Sequence, residues 1–171
     1  MSKKVKLIVL GIVLVVVAGL GIFLYQRHVS NNSKAEVEKT KYAQIVSDTQ
    51  NLVSAGKYDQ AETIWLNYLK SSHDKTYVRG AYVQLATTYS NAQKYDQAVS
   101  YYKKAQAIDK TDKLDVVVGL AYTYEAQGNK TDAITYFNKA ITLTEKSDDP
   151  LKNADIQGYK YEISQLEGKS S

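Results

Sequence analysis

Beyond position 42, apolar residues recur three and four places apart, the spacing that puts them on one face of an α-helix. Within this pattern the pentapeptide KYDQA occurs at 57–61 and again at 94–98, and a related pentapeptide, NKTDA, occupies 129–133. Aligning the copies on their last alanine gives offsets of 37 and 35 residues. A period between about 20 and 50 residues indicates stacked supersecondary units. The pattern therefore predicts a series of helical hairpins.

Four columns of this alignment carry the packing prediction. They hold a small residue (Ala61, Ala98, Ala133), an aromatic residue four places later (Trp65, Tyr102, Phe137), a further residue three places on (Tyr68, Ala105, Ala140) and one upstream of the turn (Leu52, Tyr89, Tyr124). The small residue lets two helices approach closely, and the aromatic residue fills the space toward the next hairpin. The turn column contains Gly56, Gln93 and Gly128. We expect the glycines there to adopt a left-handed conformation and Gln93 to be strained or differently turned.

These columns resemble the tetratricopeptide repeat family, whose unit is a pair of antiparallel helices of about 34 residues. The segment YVQLATTYSNAQKYDQAVSYYKKAQAID, residues 82–109, fits the family pattern best, and residues 117–144 fit almost as well. The first unit departs from the pattern, because Asp48 and Thr49 replace its Leu-Ala pair. The resemblance implies an all-α, right-handed superhelical solenoid of helix-turn-helix repeats over residues 35–149. Its three units would lie at about 42–75, 79–113 and 114–148.

The resemblance also implies a concave groove lined by the first helix of each unit. The residues that it places on this face are Gln50, Val83, Thr87, Asn91, Val118, Tyr122 and Glu125. The alternative for them is an ordinary solvated face. Some family members clamp a partner's carboxylate with basic side chains on this face, whereas the matching positions here include Val46, Gln50, Gln84, Asp115 and Gly119. Such a neutral groove favours an extended or helical peptide held by modest apolar contacts and side-chain hydrogen bonds.

The C-terminal segment predicts one more helix, over residues 150–167. Asp149 suits its N-cap and Pro150 suits its first helical position. Its apolar stripe consists of Ile156, Tyr159, Ile163 and Leu166. We expect this stripe to cover the exposed flank of the third unit, because a stacked repeat array needs a cap at its end. Residues 168–171 are predicted to form a disordered tail.

The N-terminal segment LIVLGIVLVVVAGLGIFLY, residues 7–25, contains 19 residues without a charge. A helix of that length spans about 28 Å, close to the roughly 30 Å hydrocarbon core of a bilayer. The alternative is a cleaved signal peptide, but the apolar region of such a peptide has only about 7–15 residues and ends at a small-residue cleavage site. The sequence therefore predicts a retained signal-anchor helix, followed by a polar tether over residues 26–34.

Basic residues next to this segment predict its orientation. Lys3, Lys4 and Lys6 crowd the short tail of residues 1–6, while Arg27 lies close on the other side. Since basic residues favour the cytoplasmic side, we expect a cytoplasmic tail, a single-pass anchor in the cell membrane and an extracytoplasmic soluble domain. The alternative is the inverted topology, with the repeats at the cytoplasmic face.

The composition argues against several function classes. The net charge of +4 arises from basic residues flanking the apolar segment, since 18 basic and 18 acidic residues follow from position 29 onward. This neutral domain lacks the basic surface that nucleic acid requires. His28 and His73 have no metal-ligand partner at helical spacing, cysteine is absent, and no phosphate loop or nucleophile elbow occurs. We therefore expect no enzymatic activity, no cofactor, no metal and no small-molecule substrate.

These observations favour a non-catalytic, membrane-anchored scaffold or adaptor. It would bind a protein or peptide partner in the concave groove and, by analogy with anchored repeat proteins, accompany secretion or envelope assembly. Two alternatives remain from the sequence. One is a cytoplasmic-face adaptor of inverted topology, and the other is an accessory subunit of an enzyme or transporter.

Overall fold

The computed structural model describes the backbone of residues 3–109 and 111–168, and within these all side chains except those of residues 3–19 and of Asn31. In this described part the chain forms seven helices and no strand. They are α1 (Lys3–Ser54), α2 (Tyr58–Ser71), α3 (Lys75–Asn91), α4 (Tyr95–Asp109), α5 (Leu114–Ala126), α6 (Lys130–Glu145) and α7 (Lys152–Leu166). The chain divides into two compact units, Met1–Ala43 and Gln44–Ser171, so the boundary falls inside α1.

The stretch from 26 to 34, predicted as a polar tether, is helical instead and lies within α1. Missing hydrophobic periodicity does not argue against a helix, because periodicity reports packing and not backbone preference. No glycine or proline occurs between residues 22 and 55, so nothing in the chain breaks the helix there. The tether therefore has a helical backbone, with 1.5 Å of rise for each residue.

Most of the predicted membrane anchor lies outside the described side chains, which begin at residue 20. The basic side chains of the predicted tail also lie outside them. Among the residues that the structure does describe, no helix combines the length and the apolar character needed to cross a bilayer.

The second unit has the predicted all-α repeat architecture. Helix α3 packs against α2, α4 and α5, while α6 packs against α5 and α7. The three aligned alanines, Ala61, Ala98 and Ala133, are fully buried. The aromatic column behind them is buried as well, with Trp65 and Phe137 completely shielded and Tyr102 only 5 % exposed. The alignment from the sequence thus has the correct register.

The turns between paired helices repeat one hydrogen-bonding pattern. The N–H of Gly128 donates to the carbonyl of Glu125 at 2.8 Å, and the N–H of Asn129 donates to that of Tyr124 at 2.9 Å. Equivalent bonds close the turns at Gly56 and at Gln93. The three residues have φ values of +71°, +59° and +80° in chain order, all left-handed. Gln93 therefore makes the same turn as the glycines. Of the two alternatives that we expected for it, a strained backbone and a different turn, the structure has the strained backbone.

We expect Gln93→Gly to stabilise the repeats by about 0.5–1 kcal/mol. A residue with a side chain costs roughly 1–2 kcal/mol in the left-handed conformation, and glycine removes that cost. Glycine also increases the entropy of the unfolded chain, which offsets part of the gain. Thermal melts of a fragment spanning residues 35–171 measure the effect. The matched control is Ala92→Gly, one residue earlier at φ −78°, which should lower stability. Equal shifts for the two variants would contradict strain at position 93.

The repeated pentapeptide makes contacts within its own helix pair and also with the next helix pair. Its aspartate accepts a hydrogen bond from the turn of the next pair. Asp59 accepts from the Lys94 ammonium at 3.2 Å, and Asp96 accepts from the Gln127 amide at 2.7 Å. The buried alanine two residues later holds the helices of its own pair together. Two different contacts therefore depend on the same five residues, which explains why the motif recurs.

Helix α7 starts at Lys152 rather than at Pro150, the predicted first position. The Asp149 carboxylate still accepts a backbone hydrogen bond, from Leu151 at 2.8 Å, but it closes a turn before the helix instead of capping it. The predicted stripe faces the third pair. Ile156 is 8 % exposed, and the Tyr159 ring stacks on Phe137 with the ring centroids 6.1 Å apart. Residues 169–171 of the predicted tail lie outside the described residues.

Candidate partner-binding groove

The groove was predicted on the first helices of the pairs, which are the end of α1, α3 and α5. Between the end of α1 and α3 lies a cavity of about 420 Å³. Its lining residues are Thr49, Gln50, Asn51, Val53, Ser54, Gln84, Thr87 and Thr88. Two of the predicted groove residues, Gln50 and Thr87, are among them. We call this space the amide cavity, because three primary amides line it.

Seven of the eight residues that line the amide cavity have polar side chains, and none of them is charged. Its threonine hydroxyls donate to backbone carbonyls one turn earlier, as Thr88 does to Gln84 at 2.9 Å. In contrast, the side-chain amides of Gln50, Asn51 and Gln84 make no hydrogen bond to any described residue. A primary amide donates and accepts, so it matches the two hydrogen-bonding groups of a peptide bond. The cavity therefore suits the main chain of an extended segment.

Tyr102, a residue of the second helix α4, lies next to Thr87 of this cavity. Its hydroxyl lies 3.0 Å from the Thr87 hydroxyl, and burial raises its pKa while the Thr87 hydrogen bond acts in the opposite direction. Its ring lies against Gly119, where an added Cβ would come within 2.5 Å of ring atoms. We predicted Thr87 as a contact residue and Tyr102 as core, and the structure joins the two.

The other predicted residues have varied surroundings. Val83 is half-buried and packs against the core. The Asn91 side chain donates to the Thr87 carbonyl at 3.0 Å, so it is used within α3 near the end of that helix. Val118 is half-buried on α5 and does not line the amide cavity. None of these three residues lines the amide cavity.

At the α5 end, the predicted residues Tyr122 and Glu125 meet α7. Tyr122 is 45 % exposed, and its ring contacts Phe137 edge-on with centroids 5.0 Å apart. Burial raises the pKa of the Tyr122 hydroxyl, with further contributions from Glu162, Tyr159 and Glu125. Sequence reasoning missed Glu162. Its only signal was its place three residues after Tyr159, one turn along the stripe that covers the third pair.

Glu125 gives a pH-dependent prediction. Burial, and then the Glu162 charge, raise the pKa of this carboxyl above its ordinary value. The folded state then binds the proton more tightly than the unfolded state, so ionisation of Glu125 costs stability as pH rises through this raised pKa. We expect Glu125→Gln to raise the melting temperature at pH 7 and to leave it unchanged at pH 3. A rise of the same size at both pH values would contradict this assignment.

The one arginine of the repeat region, Arg79, is already engaged. Its guanidinium contacts the Asp109 carboxylate at 3.3 Å and the Asp115 carboxylate at 2.8 Å. The contacts join α3 to the end of α4 and the start of α5. Asp115 occupies one of the positions where some family members carry a clamp residue. Because Arg79 pairs with acidic residues of its own chain, it does not provide a free cation for a partner's carboxylate.

Comparison with known proteins bears on this architecture. Residues 77–146, which contain α3 from its third residue and all of α4 to α6, match the family model described as tetratricopeptide repeat. This segment is similar to the tetratricopeptide repeat family. It covers the two pairs that fitted the family pattern best in the sequence, while the departing first pair lies outside it. A comparison with curated proteins gives no match.

Solved structures show the repeat fold over a longer stretch. A TPR-like protein from Chlorobium tepidum TLS has 18 % identity and a TM-score of 0.58, covering 76 % of this chain and 96 % of that one. PcrH, solved in complex with the chaperone binding region of PopD, has 19 % identity and a TM-score of 0.60, covering 78 % and 96 %. At these identities the likeness shows the tetratricopeptide fold, not a shared partner.

Proposed function

We propose that this protein is a non-catalytic, membrane-tethered tetratricopeptide repeat scaffold that binds an extended segment of another protein in its concave groove. The observation that carries the proposal is the amide cavity. Three amides without described partners face one space of about 420 Å³, next to the exposed Thr87. Groups that pair with a peptide main chain explain why polar residues line a cavity between two helices. PcrH, which has the same fold, is solved with a region of another protein bound.

Photo-crosslinking in membranes tests this binding mode. A photoreactive phenylalanine replaces Gln50 or Gln84 in the cavity and, as a control, Gln97, an exposed glutamine of α4. We expect an adduct with another protein from the two cavity positions and none from position 97. Adducts of the same pattern from all three positions, or from position 97 alone, would count against groove binding.

The membrane tether is the second part of the proposal, and the sequence of residues 7–25 supports it. The lysines before this segment favour a cytoplasmic N-terminus, so the repeats would lie outside the cytoplasm, where they accompany secretion or envelope assembly. Protease accessibility in spheroplasts tests the orientation. External protease should digest the repeat domain along with a known extracytoplasmic control. Survival of the domain while that control is digested indicates the inverted, cytoplasmic-face topology.

A further inference from the structure

Two carboxylates at the α5–α7 end of the groove lack the partners that comparable groups have. Glu125 and Glu162 are half-buried, and neither makes a hydrogen bond or ion pair with a described residue. Glu125 follows Tyr122 by one helical turn and Glu162 follows Tyr159 by one turn, and both rings contact Phe137, with centroid distances of 5.0 and 6.1 Å. Other half-buried carboxylates of the repeats are paired. Glu62 accepts from the Tyr89 hydroxyl at 2.7 Å, and Asp109 contacts Arg79 at 3.3 Å.

Leaving two partly desolvated negative charges beside each other is unfavourable unless a cation joins them. They come from different helices, so the pair exists only because α7 packs beside the third repeat. No lysine or arginine among the described residues forms an ion pair with Glu125 or Glu162. A positively charged side chain of a partner would relieve the repulsion and would fix the position of the partner.

An exposed aromatic ring completes this part of the surface. Tyr122 is held by its edge-on contact with Phe137, yet nearly half of its surface remains accessible. Glu125 follows Tyr122 by one turn of α5, and Glu162 also contributes to the raised pKa of the Tyr122 hydroxyl. The face of an aromatic ring attracts an ammonium or guanidinium group, and a neighbouring carboxylate strengthens the site. Aliphatic stems of lysine and arginine also pack well on such a ring.

The surface is continuous with the amide cavity. Thr87 of the cavity contacts Tyr102, the Tyr102 ring lies against Gly119 of α5, and Tyr122 follows Gly119 by one helical turn. Resting on the proposed function, we propose that the bound segment carries a lysine or arginine whose charged group lies between Glu125 and Glu162, against Tyr122. The uncharged part of the segment occupies the amide cavity.

Peptide selection on the full-length chain in detergent micelles tests this inference. The probe is a phage library of random 12-residue peptides, selected on the wild-type chain and then resynthesised. We expect the enriched peptides to share a lysine or arginine at one position. They should bind the Glu125→Gln/Glu162→Gln chain about tenfold more weakly, with the difference shrinking at high salt. The control variant Glu145→Gln, an exposed glutamate of α6, should bind like wild type.

Both substitutions remove a repulsion, so the double variant should remain folded, which a thermal melt verifies. A second double variant, Gln50→Ala/Gln84→Ala, separates this inference from the proposed function. Peptides that depend on the amide cavity but share no basic residue overturn this inference and leave the proposed function standing. The same holds if these peptides bind the Glu125→Gln/Glu162→Gln chain as tightly as the wild type. If no enriched peptide depends on either pair of residues, groove binding itself is wrong.

Discussion

A fragment of residues 35–149, which lacks α7, should lose its cooperative thermal transition and self-associate. Helix α7 shields Phe137, and it buries Ile156 and most of Tyr159 against the third pair. Burial of each such side chain contributes about 1.5–3 kcal/mol, against a total stability of about 5–15 kcal/mol for a typical domain. Removing the helix therefore costs a large part of the stability and exposes an adhesive apolar surface.

Size-exclusion chromatography and a thermal melt measure this outcome against the fragment 35–171. A fragment ending at Gly168 is the matched control, because it keeps all of α7 and should behave like the longer one. If the fragment ending at 149 is a monomer with an unchanged, sharp transition, then α7 is not a cap. The helix would then be an independent element, available to bind a partner.

The second large effect is expected from Gly119→Ala, which should destabilise the repeats by about 1–2 kcal/mol. An added methyl group comes within 2.3–2.5 Å of the Tyr102 ring, which is buried and hydrogen-bonded to Thr87. Overpacking of this kind costs about 1–3 kcal/mol, while alanine regains up to about 1 kcal/mol of helix propensity. The melting temperature of the fragment 35–171 should therefore fall.

Gly158→Ala is the matched control, because this glycine lies inside α7 with nothing within 4 Å of the added atom. The same change should there raise stability by about 0.5–1 kcal/mol through helix propensity alone. Gly119→Ala should cost less in a Tyr102→Leu background than in the wild type, because leucine lacks the distal ring atoms that the added methyl group meets. Equal increases in melting temperature for the two alanine variants would show that the Tyr102 ring moves aside for the added methyl group.

The sequence by itself determined the repeat architecture. The offsets of 37 and 35 residues put Ala98 and Ala133 into the buried column, and both are fully buried. The turn column likewise identified Gly56 and Gly128 as left-handed residues. These features follow from local spacing, since a helix places residues on faces in a fixed order and the left-handed region favours glycine. A period repeated along the chain makes such local signals unambiguous.

Only the tertiary structure decided how the helices combine into a candidate site. Tyr102 reaches Thr87 across a hairpin. Glu125 and Glu162 follow Tyr122 and Tyr159 by one turn, and both of those rings contact Phe137. The sequence also did not reveal that α1 continues through residues 26–34, since a helix that buries no face leaves no hydrophobic period. Contacts between helices depend on their relative position and rotation. Spacing along one helix does not encode either quantity, so the unpaired carboxylates became visible only in three dimensions.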